Sequence, residues 1–274
     1  MKETILITGA GGSIARKLSE RLQPDFEIRF LTRKKKNLTD FEWDLKNKTI
    51  DENAFNNVSH IIHLAGANIA EKRWTAERKQ EIIKSRTDSE QLRLKTLNKK
   101  NIRLKTFISA SGINYYGTET TEHIFTENDP SGNDFLSKVV VLWEKSADQF
   151  KENNVAERVV KIRTAVVLTE NEGALPKMST PIKLGIGSPI GTGKQYMPWI
   201  HIDDICRIYE FALKNESVEG AFNATAPEQS NNHYFTKTIA KVLKKPLFMP
   251  NIPGFILKLL FGELSVALLE GSRA

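Results

Sequence analysis

The sequence predicts an α/β protein built on a doubly wound parallel sheet, and three observations carry that prediction. Strand-like apolar runs recur along the chain, at Ile5-Leu6-Ile7, Phe26–Leu31, Val58–Ala65, Phe107–Ser111 and Val159–Leu168. Stretches with helical spacing separate them. Between the first run and the first helix lies a glycine-rich turn, Thr8-Gly9-Ala10-Gly11-Gly12-Ser13. Runs this apolar suit parallel strands buried on both faces, with helices as the crossovers.

The first element sets the chemistry. Ile14, Leu18 and Leu22 recur every fourth residue and Pro24 closes the helix they mark. Strand, glycine turn and helix form half of a dinucleotide-binding βαβ unit. One glycine permits the tight turn, and another lets the backbone approach a pyrophosphate held by amides at the helix N-terminus. Ala15 is the small residue that allows helix and strand to pack closely. A second strand over Phe26–Leu31 ends at Thr32-Arg33-Lys34-Lys35-Lys36. NAD-specific proteins of this type place an acid there, roughly 20 residues past the glycines, to bind the ribose 2′-hydroxyl. Here the acid is missing and cations replace it, which suits a 2′-phosphate. The preferred cofactor is therefore NADP(H); a solvated basic turn is the alternative.

Phe41–Leu45 reads as a third strand, with Asp44 either beside adenine or simply exposed. The fourth, Val58–Ala65, exits through Ala65-Gly66-Ala67 beside a nicotinamide ribose, and its His60 and His63 face opposite sides, which argues against a shared metal site. A polar helix covers about Thr75 to Leu97. The fifth strand ends in serines, where parallel sheets bind ligands, and Tyr115-Tyr116 keeps two phenols near that edge. A loop, a helix over Phe135–Phe150 and a sixth strand interrupted by Arg163 follow. Residues 173–199 read as a substrate-facing insertion rich in Gly, Pro and Lys. Trp199–Asp204 opens a helix, Phe222-Asn223-Ala224 is a short strand, and Thr236–Leu243 is helical. The apolar segment Phe255–Leu269 is too short to span a bilayer and reads as a helix packed on the small lobe or a partner, with a membrane-surface helix as the alternative.

Composition excludes several classes. The chain has 274 residues, 40% of them hydrophobic, so it can bury a large core. No apolar run reaches the ~18 residues of a membrane span. Cys206 is the single cysteine and no signal segment precedes the first strand, which together predict a cytoplasmic protein. The net charge of +7 is spread along the chain without a basic stripe, so nucleic acid is not an expected partner. His123, His201 and His233 are isolated, no metal is expected, and no GxSxG nucleophile elbow occurs.

Longer motifs add a resemblance. Asn68-Ile69-Ala70, RWTAERKQEIIKSR (73–86), ISASGINYYG (108–117) and GALPKM (173–178), in this order, resemble the extended short-chain dehydrogenase/reductases, and more narrowly the atypical "epimerase family protein" subfamily. The resemblance implies a Rossmann-type domain over 1–170 and a small C-terminal substrate lobe over 171–274, with about 199–226 returning to the first domain. It implies that Gly9, Gly11, Gly12, Ser13 and Ile14 hold the pyrophosphate, and that Arg33, helped by Lys34, holds the 2′-phosphate. Asp44 and Leu45 would flank adenine; Leu64, Ala65 and Gly66 would flank the inner ribose. Ser111 falls where relatives keep the hydroxyl that bonds the reacting oxygen.

The resemblance also exposes a departure. Active members use a tyrosine and, four residues later, a lysine, to move a proton during hydride transfer. Counting back from Glu144, these positions hold Leu136 and Val140. Three readings remain open: an enzyme using Tyr116 (or Tyr115) or Ser111 instead, a reductase needing no strong acid, and a binder of NADP(H) that does not turn it over. The substrate would be a small molecule, sugar-like or anionic, with Arg73, Trp74, Lys79 and Arg86 either at the active-site mouth or on a solvated helix. Relatives continue beyond an end like Ser272-Arg273-Ala274, and extended relatives dimerise through two helices, which makes the helix from Phe135 the candidate for a homodimer.

Overall fold

The computed structural model describes residues 2–274. Its core is an eight-stranded sheet, formed by β1 (Thr4–Thr8), β2 (Glu27–Thr32), β3 (Asp40–Asp44), β4 (Thr49–Ile50), β5 (Val58–His63), β6 (Leu104–Gly112), β7 (Ala156–Thr164) and β10 (Gly220–Ala224). The order across the sheet is β10-β7-β6-β5-β1-β2-β3-β4, and every pairing is parallel except β3 with β4. The chain runs outward from β1 through β2 and β3, then restarts on the other side of β1 with β5. That reversal opens a crevice above the C-terminal ends of β1 and β5.

Both faces of β1 are covered, which is why its sequence is continuously apolar. Ile5 and Ile7 pack with Leu18 and Leu22 of α1 (Ser13–Leu22) and with Ile205 and Tyr209 of α5 (Ile202–Lys214). Leu6 points the other way, into a cluster with Phe107, Leu97 of α2 (Ala76–Lys99) and Phe150 of α3 (Phe135–Glu152). The α/β fold class, with a Rossmann-type doubly wound sheet, is the one the sequence predicts.

Five local readings need correction, the last of them at the C-terminal end. The apolar run Val159–Leu168 is two strands: β7 stays in the main sheet, and β8 (Val166–Leu168) pairs with β9 (Trp199–His201) in a separate two-stranded sheet. They part at Ala165, whose N–H bonds the Ala224 carbonyl while the Val166 N–H bonds that of Pro198. Arg163 lies within β7 and interrupts nothing. The glycine- and proline-rich stretch after residue 173 begins with α4 (Ala174–Lys183), which accommodates Pro181 in its last turn. Trp199 and His201 belong to β9, so α5 starts only at Ile202.

Around β8 and β9 lie α4 and α6 (Asn232–Val242), with Ile182, Phe235 and Ile239 in their shared core; α7 (Gly254–Phe261) follows. The terminal apolar segment is not one helix. Gly262, at φ +61°, separates α7 from a short 3₁₀ turn and α8 (Val266–Leu269). Within α7 only Leu257 is buried, while Phe255, Leu259 and Leu260 are exposed. No helix among the described residues is long and apolar enough to cross a membrane.

Candidate functional site

The crevice floor begins at the glycine turn. Gly9 sits at φ +80°, and a Cβ there would lie 3.0 Å from the Leu64 carbonyl carbon and 3.1 Å from the Ala65 nitrogen. The Gly12 N–H closes the turn on the Gly9 carbonyl at 2.8 Å. Gly12 then caps α1 with no side chain, and no acidic residue stands in the first turn. The first α-helical bond runs from the Arg16 N–H to the Gly12 carbonyl, so the amides of Ser13, Ile14 and Ala15 have no intrahelical partner. An open helix N-terminus of this kind favours an anion. Arg16 bridges from the Gly11 carbonyl, at 2.6 Å, to Glu172 in the loop before α4.

A buried relay joins this turn to the exit of β5. The Thr8 hydroxyl accepts from the Leu64 and Ala65 amides at 3.0 and 3.1 Å, so its own proton goes to His63 Nδ1, 2.7 Å away. His63 is then neutral with its proton on Nε2, facing Ser89 Oγ at 3.2 Å. Burial, with Arg93 and Arg86 nearby, holds the imidazole well below its ordinary pKa. Leu64, Ala65 and Gly66 therefore leave the strand along a fixed path. His60 lies lower in β5 and bonds Glu3 at 3.1 Å.

At the far end of the crevice, Arg33 and Lys34 follow β2 as exposed side chains, and neither makes an ion pair among the described residues. Asp44 is drawn into its own turn, accepting from the Lys46 and Asn47 amides at 2.8 and 3.2 Å and from Asn47 Nδ2 at 2.7 Å. The Asn47 and Lys46 amide bonds hold its carboxyl below the usual range. Leu45 is partly buried against the apolar cluster that includes Trp43 and Phe55.

The C-terminal end of β6 carries a network that sequence reasoning missed. Ser111 donates to Glu144 Oε1 at 2.6 Å. Arg163 grips both oxygens of Glu144, at 2.8 and 2.9 Å, and donates to the Tyr116 hydroxyl at 2.9 Å. Tyr116 in turn donates to Asn223 Oδ1 on β10, 2.8 Å away. Arg163 also lies 3.4 Å above the Tyr115 ring. Both proposed catalytic hydroxyls, Ser111 and Tyr116, are thus buried and hydrogen-bonded within the protein. Burial raises the Tyr116 phenol pKa despite the Arg163 bond, which works against proton release near neutrality. The signal for this network was present in the sequence as two charged residues inside apolar elements, since such charges need partners. Across from Ser111, Leu136 and Val140 are buried on α3, and Val140 Cγ2 would lie 3.7 Å from a Cβ at Gly112.

A second unforeseen feature lies beneath the floor. Glu90 on α2 is fully buried and accepts from Ser109 Oγ at 3.0 Å. Burial pushes its carboxyl up to about 8, against the pull of Arg93. Because the folded-state value lies above the unfolded one of 4.5, Glu90 contributes stability that is complete below that value and lost as pH rises through about 8. Denaturant titrations from pH 5 to 8 should lose about 1 kcal/mol per pH unit more in the wild type than in Glu90→Gln. Equal pH slopes would remove Glu90 as the cause. Among the described residues no group of three or more His, Cys, Asp or Glu side chains could hold a metal ion.

A parallel sheet with its crevice at the β1/β5 reversal, floored by an uncapped helix N-terminus and a glycine turn, defines a Rossmann-type nucleotide-binding protein. The signature of the NAD dependent epimerase/dehydratase family matches residues 5–225, and the chain belongs to that family. It is 35% identical to the epimerase family protein YfhF of Bacillus subtilis, over 98% of this chain and 89% of that protein. It is 36% identical to the chloroplastic SDR39U1 homologue of Arabidopsis thaliana, over 98% of this chain and 79% of that protein. The crystal structure of the human epimerase family protein SDR39U1 (isoform 2) with NADPH superposes with a TM-score of 0.85 at 30% identity, covering 98% of this chain and 90% of that one.

Proposed function

We propose that this chain binds NADP(H) and is an oxidoreductase or epimerase-type enzyme acting on a small sugar-like or anionic carbonyl substrate. The observation that carries the cofactor reading is the pairing of an open α1 N-terminus with unpaired Arg33 and Lys34 at the end of β2, where no carboxylate stands. Amides at the first position suit the pyrophosphate, and a guanidinium at the second suits a 2′-phosphate. NADPH in the human SDR39U1 structure is in keeping with this. In this reading Gly9, Gly11, Gly12, Ser13 and Ile14 hold the pyrophosphate, Asp44 and Leu45 flank adenine, and Leu64, Ala65 and Gly66 flank the inner ribose. Residues 1–170 form the dinucleotide-binding domain, and 171–274, apart from about 199–226, form the substrate lobe.

Bound cofactor would supply or accept the hydride. The chain's own contribution is to orient the cofactor against the end of β6, where Ser111 is the hydroxyl nearest the reacting oxygen. Arg33→Ala should weaken NADPH binding by about 10- to 100-fold and leave NADH binding within about threefold, because only NADPH carries the phosphate that a charge-assisted fork grips. Equal losses for the two nucleotides would refute the assignment.

A specific observation favours a second reading, a protein that binds NADP(H) without turnover. Leu136 and Val140 replace the tyrosine and lysine of active members, and Ser111 and Tyr116 are already bonded to Glu144 and Asn223. Loss of absorbance at 340 nm across a panel of carbonyl compounds and nucleotide sugars distinguishes the two. Oxidation of NADPH by any of them supports the enzyme; tight binding with no oxidation supports the binder.

A further inference from the structure

Among the cations on α2 or just before it, Arg73, Arg78 and Lys79 are committed to partners near the start of the helix. Arg73 donates to the carbonyls of Leu259 and Leu260 at the end of α7. Arg78 pairs with Glu71 at 2.9 Å and Glu81 at 2.6 Å. Lys79 pairs with Glu263 and lies 5.1 Å over the Phe135 ring. Arg86 differs: it makes no ion pair with a carboxylate among the described residues. Its Nη1 donates to the carbonyls of Ile82 and Ala67, at 2.9 and 3.3 Å, and its Nε and Nη2 have no partner among the described residues.

The place of that guanidinium matters. It lies against Gly66, where a Cβ would come within 3.2 Å of Cζ and 3.3 Å of Nη2. Its other face covers Trp143, 4.7 Å from the ring centre. Trp143 is three residues beyond Val140, the position from which active relatives would project a lysine toward the nicotinamide ribose. A cation therefore reaches this region from α2 instead of α3. Burial, with Arg78 nearby, pushes Arg86 down to about 10. This half-buried guanidinium has carbonyl dipoles and a ring face as its partners among the described residues and lacks a counter-charge, while its free donors remain open to a ligand. Neutral ribose hydroxyls would not provide one. The cofactor's phosphates have their own cradle at the start of α1.

We propose that Arg86 docks the carboxylate of an anionic substrate, holding the adjacent carbon beside the β5 exit and the nicotinamide. The two free donors of its planar fork match a carboxylate in bidentate fashion. This rests on the NADP(H) reading for the position of the nicotinamide, but not for the anion site itself.

The test uses oxalate as the carboxylate probe and inorganic phosphate as the rival oxyanion, each titrated calorimetrically into the protein with and without saturating NADPH. The expected result is oxalate binding that falls at least about tenfold in Arg86→Gln, with NADPH affinity changed by less than about threefold. Arg86→Lys, which keeps the charge without the fork, should recover part of the loss; if Arg86→Gln does not fold, a loss of about threefold or more in the lysine variant carries the test. The proposal is overturned if oxalate does not bind, if phosphate binds in its place, or if oxalate binding ignores Arg86. Equal weakening of NADPH and oxalate would also overturn it, reducing Arg86 to a brace for the Ala67 loop. Absence of NADPH binding with Arg86-dependent oxalate binding would instead reject the cofactor reading and keep the anion site.

Discussion

Replacing Arg163 by methionine should destabilise the folded chain by about 3–5 kcal/mol, the usual cost of removing one partner from a buried ion pair. Arg163 and Glu144 are 4% and 6% exposed, so neither charge can turn to water when the other is lost. Burial alone would lower the Arg163 pKa, yet the hydrogen bonds and charge of Glu144 hold it above its ordinary value. Methionine fills similar volume, but it leaves Glu144 with Ser111 as its single hydrogen-bond donor and deprives the Tyr116 hydroxyl of one. Four elements would loosen together, because the network joins β6, α3, β7 and, through Asn223, β10. Urea titration of the two proteins measures the effect. A loss below about 1 kcal/mol would place this pair among exposed ones, which the burial contradicts.

Gly9→Ala should have the second large effect, on stability and on cofactor binding together. A non-glycine residue at φ +80° is strained by about 1–2 kcal/mol. The new methyl group would also meet backbone atoms of Leu64 and Ala65 at 3.0–3.1 Å, and backbone held by Thr8 has little room to give. Relief would move β1 away from the β5 exit and open the turn proposed to hold the pyrophosphate. We expect about 2–3 kcal/mol of destabilisation and at least a tenfold loss in NADPH affinity. Gly11 is the internal control, since a Cβ there meets nothing within 4 Å. Gly11→Ala should change stability by less than about 0.5 kcal/mol. Similar losses in the two variants would mean that the Gly9 conformation is not what constrains the turn.

The parts of the molecule that were legible in the sequence are those fixed by local periodicity. β1 and α1 were readable because a strand covered on both faces must be apolar throughout, and a helix covered on one face repeats every fourth residue. The glycine turn was readable because its backbone demands glycine. The break between β7 and β8 was not, because Arg163-Thr164-Ala165-Val166 carries no glycine or proline to mark where the chain changes sheets. Helix α4 was hidden by Pro176 and Pro181, residues that argue against a helix unless they fall in its end turns. In the candidate site, the exposed cations after β2 were visible because an expected acid was missing. The pairing of Glu144 with Arg163, and the burial of Glu90 beside Ser109, join residues 19 apart in each case; a charge inside an apolar element signals that it needs a partner, but no local pattern says which. Ser111 and Tyr116 were chosen as the nearest hydroxyls; only the fold reveals that both are already bonded.

The β1/β5 crevice is proposed as an NADP(H) site selected by the 2′-phosphate. It is tested most directly by titrating the purified protein with NADPH and, separately, with NADH, following reduced-nicotinamide fluorescence. The account predicts saturable NADPH binding at least about tenfold tighter than NADH binding. Equal affinities would contradict the assignment of Arg33, and failure of both nucleotides to bind would contradict the site itself.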